Sequence, residues 1–423
     1  MTRRVAAIAV LAVTAAMALA ACGKNNSGNT GGGTSGGGKT LVVGVDLPFD
    51  GSSSDTSNAT FNAMQLYLDS VGGKAGKYTV TLKKYDDSTP AAGKWDQATC
   101  DANAVAHASN TDEVAVMGTY NSGCAQEEIP TLNQAPNGPL LMVSHANTNP
   151  GFTKAWDPGT PDSYYPTGKR SYARVITTDD YQGTAAARFA KQDLGVTKCF
   201  VVNDGEVYGQ GIAKAFVAEA QKQGIQILAN TAWDGKQSSY TSLFTSVKSQ
   251  NPDCVYIGGI YDNNGGQLIK DKVAVLGDNT KVKLMAPDGF TGYPDEDKLP
   301  QAQGEYLTFA GLDQSQLPTT GPAATLLNAY KAKYGSAPDS SYAVYGVAAL
   351  QVILAAIAKS DGTRASVNAQ VFTAPGIDVP ADQSVLGKDI KIDPATGDVN
   401  QIDISVLEMK GNQETFLKPW PLT

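Results

Sequence analysis

Two short apolar runs, VAVM at 114–117 and LLMV at 140–143, frame the stretch from 114 to 150. Each is bounded by Gly or Pro, the pattern of a strand buried on both faces of a parallel sheet. Parallel neighbours need a crossover, and the polar-apolar run AQEEIPTLNQ between them predicts its helix. Both strands then end in polar loops, TYNSG and SHANTN, at one edge of the sheet. In open α/β sheets that carboxyl edge is where ligands bind. Ser122 and Thr148, flanked by Asn121 and Asn147, offer hydroxyls and loop N–H groups suited to a carboxylate. On this stretch alone the simpler assignment also holds, with Ser122 capping the helix and Thr148 bracing a turn.

The rest of the chain repeats the alternation. Upstream, strands at 41–45 and 78–87 alternate with helices at 61–70 and 95–109, which predicts a doubly wound sheet. After an irregular stretch at 152–169, rich in Pro, Gly and Tyr, it resumes. Strands at 198–204, 225–233, 253–259 and 282–288 are separated by helices at 212–224, 240–250 and 267–276, behind a helix at 181–194. Two more helices follow, at 322–334 and 342–359. The run VAALQVILAAIA in the second is apolar but short and interrupted by Gln351, so it reads as a core helix and not a membrane span. The segment 389–412 alternates like a hairpin with a Pro-Gly turn that finishes a sheet.

Residues 1–21 are a targeting segment: Arg3 and Arg4, an apolar run at 5–18, then Leu19-Ala20-Ala21-Cys22. This resembles a bacterial lipobox, in which the Cys becomes the lipidated first residue. Residues 22–39 are then an anchor and a Gly/Ser/Asn/Thr tether with a reach of roughly 20–25 Å. Loss of residues 1–21 moves the charge from −8 to −10, which argues against nucleic acid or anionic lipid as a partner. Within the tether GTSGGGKT matches a phosphate-loop pattern and GTSGG a nucleophile elbow. Neither has the strand-to-helix setting its chemistry needs.

The remaining cysteines, Cys100, Cys124, Cys199 and Cys254, are even in number in an exported chain and predict two disulfides. Cys100 lies on the helix before VAVM and Cys124 just after that strand; the alternative for this pair is two free thiols. Cys199 and Cys254 each start a strand, and parallel pairing of those strands would bring their Cα atoms within about 4.4–6.8 Å. No C-x-x-C spacing and only two His argue against zinc, so no metal or cofactor is expected.

GVDLPFDG, KKYDDSTP, MGTYNSG, LLMVSHANTNP, ITTDDYQG, VVNDGEVYGQG, PDCVYIGG and MAPDG, in this order, resemble the branched-chain amino-acid binding proteins of bacterial ABC importers. The resemblance covers residue 41 to the C-terminus. It implies the type I periplasmic binding fold: α/β, two doubly wound parallel-sheet lobes joined by a three-crossing hinge. It places 40–170 with 312–395 in the first lobe and 171–311 with 396–423 in the second. Ligand then sits between the lobes. Ser122, Thr148 and the backbone of Ala146 would take its carboxylate, Tyr208 and Tyr261 would wall it, and Asp288 would hold its ammonium. Family members typically carry Glu at the Asp288 position, which is longer by one methylene. His145 stands where Pro is frequent and is expected to be structural. The loop 50–58 lacks an aromatic that some relatives use, and 152–170 resembles an insertion that would line the cleft through Trp156, Tyr164 or Tyr165.

The resulting expectation is a lipid-anchored extracytoplasmic protein on the outer face of the membrane. It would act as a monomer, capturing an amino acid or similar small polar solute for an ABC permease. The alternative is the same fold reporting occupancy to a membrane receptor. An exported enzyme is the third reading. Ser144-His145 and nearby acids make a triad only on paper, since sequence neighbours seldom face one another as catalysis requires.

Overall fold

The computed structural model describes residues 39–421; the targeting segment, Cys22 and the tether up to residue 38 lie outside them. The first sheet runs Lys74–Ala75, Tyr78–Asp86, Thr40–Leu47, Glu113–Gly118, Leu141–Ser144, Tyr172–Arg174. Every pairing except that of the two-residue edge strand is parallel. The second runs Gln226–Ala232, Lys198–Asn203, Cys254–Gly258, Lys283–Ala286, Tyr306–Phe309, and ends in the antiparallel strands Ser405–Met409 and Glu414–Pro419. The inner strands are largely apolar because helices cover both faces, with Val114, Val116, Val201 and Val255 all buried; the buried acids Asp46 and Glu113 stand near strand ends.

Strand order reverses once in each sheet. Thr40–Leu47 lies between Tyr78–Asp86 and Glu113–Gly118, and Lys198–Asn203 between Gln226–Ala232 and Cys254–Gly258. At such a switch point the connections leave toward opposite faces, which opens a crevice at the strands' carboxyl ends. The helix Tyr342–Lys359 is core, packed along Ser54–Ser70. The two approach closely at Gly346, where a Cβ would stand 2.4 Å from Thr60 Cγ2.

Three segments cross between the sheets: before Asp179–Gln192, after Tyr306–Phe309, and before Ser405–Met409. Thr177 ties all three. Its N–H donates to Ala310 O at 3.0 Å and its hydroxyl to Asp403 O at 3.1 Å. Ser405 Oγ adds a bond to Gly311 O at 2.8 Å.

Two expectations about elements are corrected. The strand Tyr172–Arg174 joins the first sheet, although residue 171 was the expected point of change to the second lobe. The Pro394–Gly397 turn closes a single antiparallel bridge, Ile392 to Val399, and not a hairpin of either main sheet. Its Gly397 O accepts from Arg174 N–H at 2.9 Å and Asp398 pairs with Arg174 at 2.8 Å, so the segment belongs to the third crossing. The sheet hairpin lies beyond it, between Ser405–Met409 and Glu414–Pro419.

Both expected cysteine pairs lie at disulfide distance. Cys100 and Cys124 join the helices Gln97–Ser109 and Ser122–Asn133, with Cα atoms 5.5 Å apart. Cys199 and Cys254 are direct register partners on parallel strands, 4.5 Å apart.

Candidate functional site

The two switch points face each other. Between them lies a cavity of about 20 Å³, lined by Tyr120, Asn121, Ser122 and Ala146 from the first sheet's loops and Tyr208, Ile260, Asp288 and Gly289 from the second's. Tyr342, the first residue of the core helix, completes the wall. That volume suits about one water molecule, so a solute the size of an amino acid enters only if the lobes part.

Asp288 is the polar centre of the second side. It opens the short helix Asp288–Phe290 and is buried. Tyr208 Oη donates to its Oδ1 at 2.5 Å and Tyr342 Oη to its Oδ2 at 2.9 Å. Gly289 N–H donates to Tyr208 Oη at 3.1 Å. A Cβ at Gly289 would stand 2.3 Å from Gly259 O and 2.7 Å from the Tyr208 ring, so this approach needs glycine. Burial pushes the Asp288 carboxyl above its usual range; the two phenols pull it partly back.

On the first side Ser122 is the opening residue of Ser122–Asn133 and Asn121 holds the cap position. Ala146 lines the cavity, but its N–H donates to Ser144 Oγ at 3.1 Å, so the backbone donor expected for a carboxylate is already engaged. Thr148 does not line the cavity; it is fully buried, and its hydroxyl has no close hydrogen-bond partner, lying beside the Asp179 carboxyl and pulling that group's titration partly down. Its carbonyl accepts from the N–H of Asp179 at 2.9 Å. Asp179, first residue of Asp179–Gln192, is also fully buried, and neither carboxyl oxygen has a partner. Burial first, then the charge of Asp288, pushes that carboxyl well above the usual range. Tyr261 is not brought to the cavity. Its ring packs edge-on against Phe290 and beside Tyr293, and the neighbouring Ile260 lines the space instead.

Tyr120, Asp179, Ile260 and Tyr342 escaped the residue-by-residue reading. Asp179 carried a signal, since DD opens a helix at a strand-to-helix junction. Tyr342 carried none, because it comes from a helix far along the chain.

His145, expected to be structural, has no hydrogen-bond partner on either ring nitrogen. It is fully buried, its ring lies against Tyr120 and Tyr342, and burial pushes it down to about 3, so it is neutral. Of the three aromatics expected from the insertion, Trp156 and Tyr164 line a groove of about 700 Å³ beside the cavity. Tyr165 turns inward, its hydroxyl donating to Phe152 O at 2.6 Å. Gly211 lines the groove in front of the buried Asp179; a Cβ there would lie 3.6 Å from Asp179 Oδ2 and 3.9 Å from Trp156 Nε1.

Hydrogen bonds clasp the two sides across the cleft. Ser53 Oγ donates to Asp262 Oδ2 at 2.9 Å, Thr56 Oγ1 to Gly292 O at 2.8 Å, and Trp95 Nε1 to Glu206 Oε2 at 3.0 Å. The loop without an aromatic thus contributes hydroxyls to closure.

A family model described as periplasmic binding protein matches residues 40–412. The Leu/Ile/Val-binding protein BraC3 of Rhizobium johnstonii is 25% identical over 343 residues, covering 80% of this chain and 85% of that protein. Among solved structures, the leucine binding protein LivK of Thermotoga maritima superposes with a TM-score of 0.72 at 21% identity, covering 90% of this chain and 98% of that one. A solute binding protein of an ABC transporter from Rhodopseudomonas palustris HaA2, in complex with p-hydroxybenzoic acid, gives 0.73 at 18% identity, covering 90% and 97%. Two parallel sheets with facing switch points, three crossings and this match along most of the chain place it in the periplasmic binding protein family, with the type I fold.

Proposed function

We propose that the chain is a lipid-anchored, extracytoplasmic solute-binding protein, and not an enzyme. It captures an α-amino acid between its lobes and delivers it to an ABC importer. Cys22 is the anchor, and the tether lets a monomer reach the permease. The division into lobes at the three crossings supplies the hinge, and closure around ligand creates the shape a permease reads.

The observation that carries the ligand class is the Asp179–Asp288 pair. Both acids are buried beside aromatic walls, and Asp179 has no hydrogen-bond partner. A buried carboxylate in that condition is costly unless a cation joins it. Asp288 already holds two phenols, so the ammonium's free acceptor is Asp179, with Asp288 the second charge behind it. Ser122 at a helix N-terminus and the unpartnered hydroxyl of Thr148 suit the carboxylate end. BraC3 and LivK are named for amino acids, which agrees with this reading.

A thermal-shift panel on residues 40–423 tests it, using amino acids, amides, urea and aromatic acids. A ligand at 100 times its Kd adds about 2.7 kcal/mol to stability, a clear shift in Tm. Stabilisation by α-amino acids is the expected result. Stabilisation by aromatic acids alone would keep the transport role and remove the ammonium.

A further inference from the structure

Beneath the Ser122 loop, outside the cleft, four elements bring acids and an imidazole together. Asp46 lies on Thr40–Leu47, Asp87 follows Tyr78–Asp86, His107 lies on Gln97–Ser109 and Glu128 on Ser122–Asn133. All four are fully buried. Ligating atoms of Asp46, His107 and Glu128 lie within 4.8 Å of one another.

His107 is oriented in a particular way. Its Nδ1 faces Glu113 Oε1, and Glu113 is itself held by Tyr85 Oη at 2.9 Å and Asn110 Nδ2 at 3.1 Å. Its Nε2 points into the cluster, 2.9 Å from Asp46 Oδ2. A carboxylate on one ring nitrogen with the other turned to a group of acids is how metal-binding imidazoles are fixed. A second observation is independent of that geometry. Glu128 Oε2 and both oxygens of Asp87 are buried with no hydrogen-bond partner.

We propose that Asp46, His107 and Glu128, with Asp87 beside them, form a site for a divalent transition-metal ion. Two ligands of a tetrahedral ion at about 2.0 Å lie about 3.3 Å apart. The Asp46–His107 pair must therefore spread by only about 0.4 Å from its 2.9 Å separation. One imidazole with carboxylates suits Zn²⁺ or Mn²⁺, and thiolate ligation is excluded because Cys100 and Cys124 are bonded to each other. Protons are the competing occupant. Burial opposes a charge on His107, but its bonds to Asp46 and Glu113 outweigh that and hold it up to about 9. Metal uptake displaces such protons. Glu128 and Ser122 share a helix, so the ion would fasten the binding loop to two strand ends at the switch point.

The test uses the full chain purified without chelator, with metal per chain measured by inductively coupled plasma mass spectrometry. The protein is then unfolded with chelator and refolded alone, with Zn²⁺ or with Mn²⁺. The expected results are close to one ion per chain and a Tm about 5 °C above the metal-free form for one of the two ions at 100 times its Kd. Glu128→Gln abolishes the metal-dependent shift and, without metal, melts no lower than metal-free wild type, since an unpartnered carboxylate is gone. Asp87→Asn reduces the shift and serves as the second variant if the first does not fold. Less than a tenth of an ion per chain with no shift from either ion overturns the proposal, as does a shift that survives intact in both variants.

Discussion

Asp179→Asn separates binding from stability, because the two effects have opposite signs. In the ligand-free protein Asp179 is fully buried and neither oxygen is hydrogen-bonded. An unsatisfied buried polar group costs about 1–3 kcal/mol, and more if charged. Asn keeps the size and removes the charge. The substitution forfeits a favourable acid at a helix N-terminus, worth about 0.3–1 kcal/mol, so the smaller loss does not cancel the gain. The Asp179 N–H bond to Thr148 O survives. Asn leaves an unsatisfied amide in the same place, so the gain is confined to the charge: at pH above the raised pKa of the Asp179 carboxyl, ligand-free Asp179→Asn should be more stable than wild type by about 1–2 kcal/mol, a few degrees in Tm. The pH dependence has a definite sign. A carboxyl raised above its unfolded value binds more protons in the native state, so its contribution to wild-type stability declines as pH rises from the unfolded pKa through the folded one. The variant lacks that decline. Binding moves the other way. Removing one partner of a buried ion pair costs about 3–5 kcal/mol, at least a hundredfold in Kd. Calorimetry with the α-amino acid that shifts Tm most gives Kd, and urea melts without ligand give stability. A variant that binds within a factor of two of wild type, or that is less stable without ligand, refutes the assignment of Asp179 to the ammonium.

His145 predicts a second pH effect. Burial holds it down to about 3 against an ordinary 6.5, so the unfolded chain binds more protons between those values and stability falls as pH falls through that window. The slope is at most about 1.4 kcal/mol per pH unit. His145→Phe, set against Tyr120 and Tyr342, should flatten that part of a pH series of urea melts; an unchanged slope would show that His145 is protonated in the folded protein. Asp262→Ala removes the acceptor that Ser53 reaches across the cleft. A hydrogen bond to a charged group is worth about 1.5–3 kcal/mol, so ligand should leave at least tenfold faster in stopped-flow, and an unaltered release rate would mean that the clasp does not hold the closed form.

The strands at both switch points were readable because a strand buried on two faces is a near-continuous apolar run, and Gly or Pro marks where it stops. Parallel neighbours in register also made the Cys199–Cys254 bridge foreseeable. Alternation is a weaker guide. IKID and ISVLEM share a period of two, yet Ile390–Lys391 pairs with Asp378–Val379 in a small separate sheet while Ser405–Met409 joins the second large one, since period shows an extended backbone without naming its partner. Gly397 decides it: a Cβ there would stand 2.3 Å from Tyr172 O, so the turn lies on the first sheet's last strand. The acids around His107 come from four elements, and spacing rules detect only ligands carried on neighbouring turns.

Ser122 and Asp179 show why helix-start residues resist assignment from sequence. A helix N-terminus presents unbonded N–H groups, and the residue types that cap it are those that contact a polar ligand. The capping and ligand readings therefore draw on the same chemistry, and no composition argument separates them. What separates them is which residue takes the cap. Here Asn121 and Thr178 occupy the cap positions, one residue before the groups of interest. Thr178 turns its hydroxyl to Asp180 at 2.5 Å. Neither Asn121 nor Thr178 makes a side-chain capping bond, and Asp179 is left buried with only the Thr148 hydroxyl beside it. A polar group that folding has desolvated and not satisfied stores a cost that only a ligand, a proton or a water can relieve. Asp179 and Thr148, with Tyr120 and His145, carry that cost around this cleft, and the first two are where mutation should affect affinity more than fold.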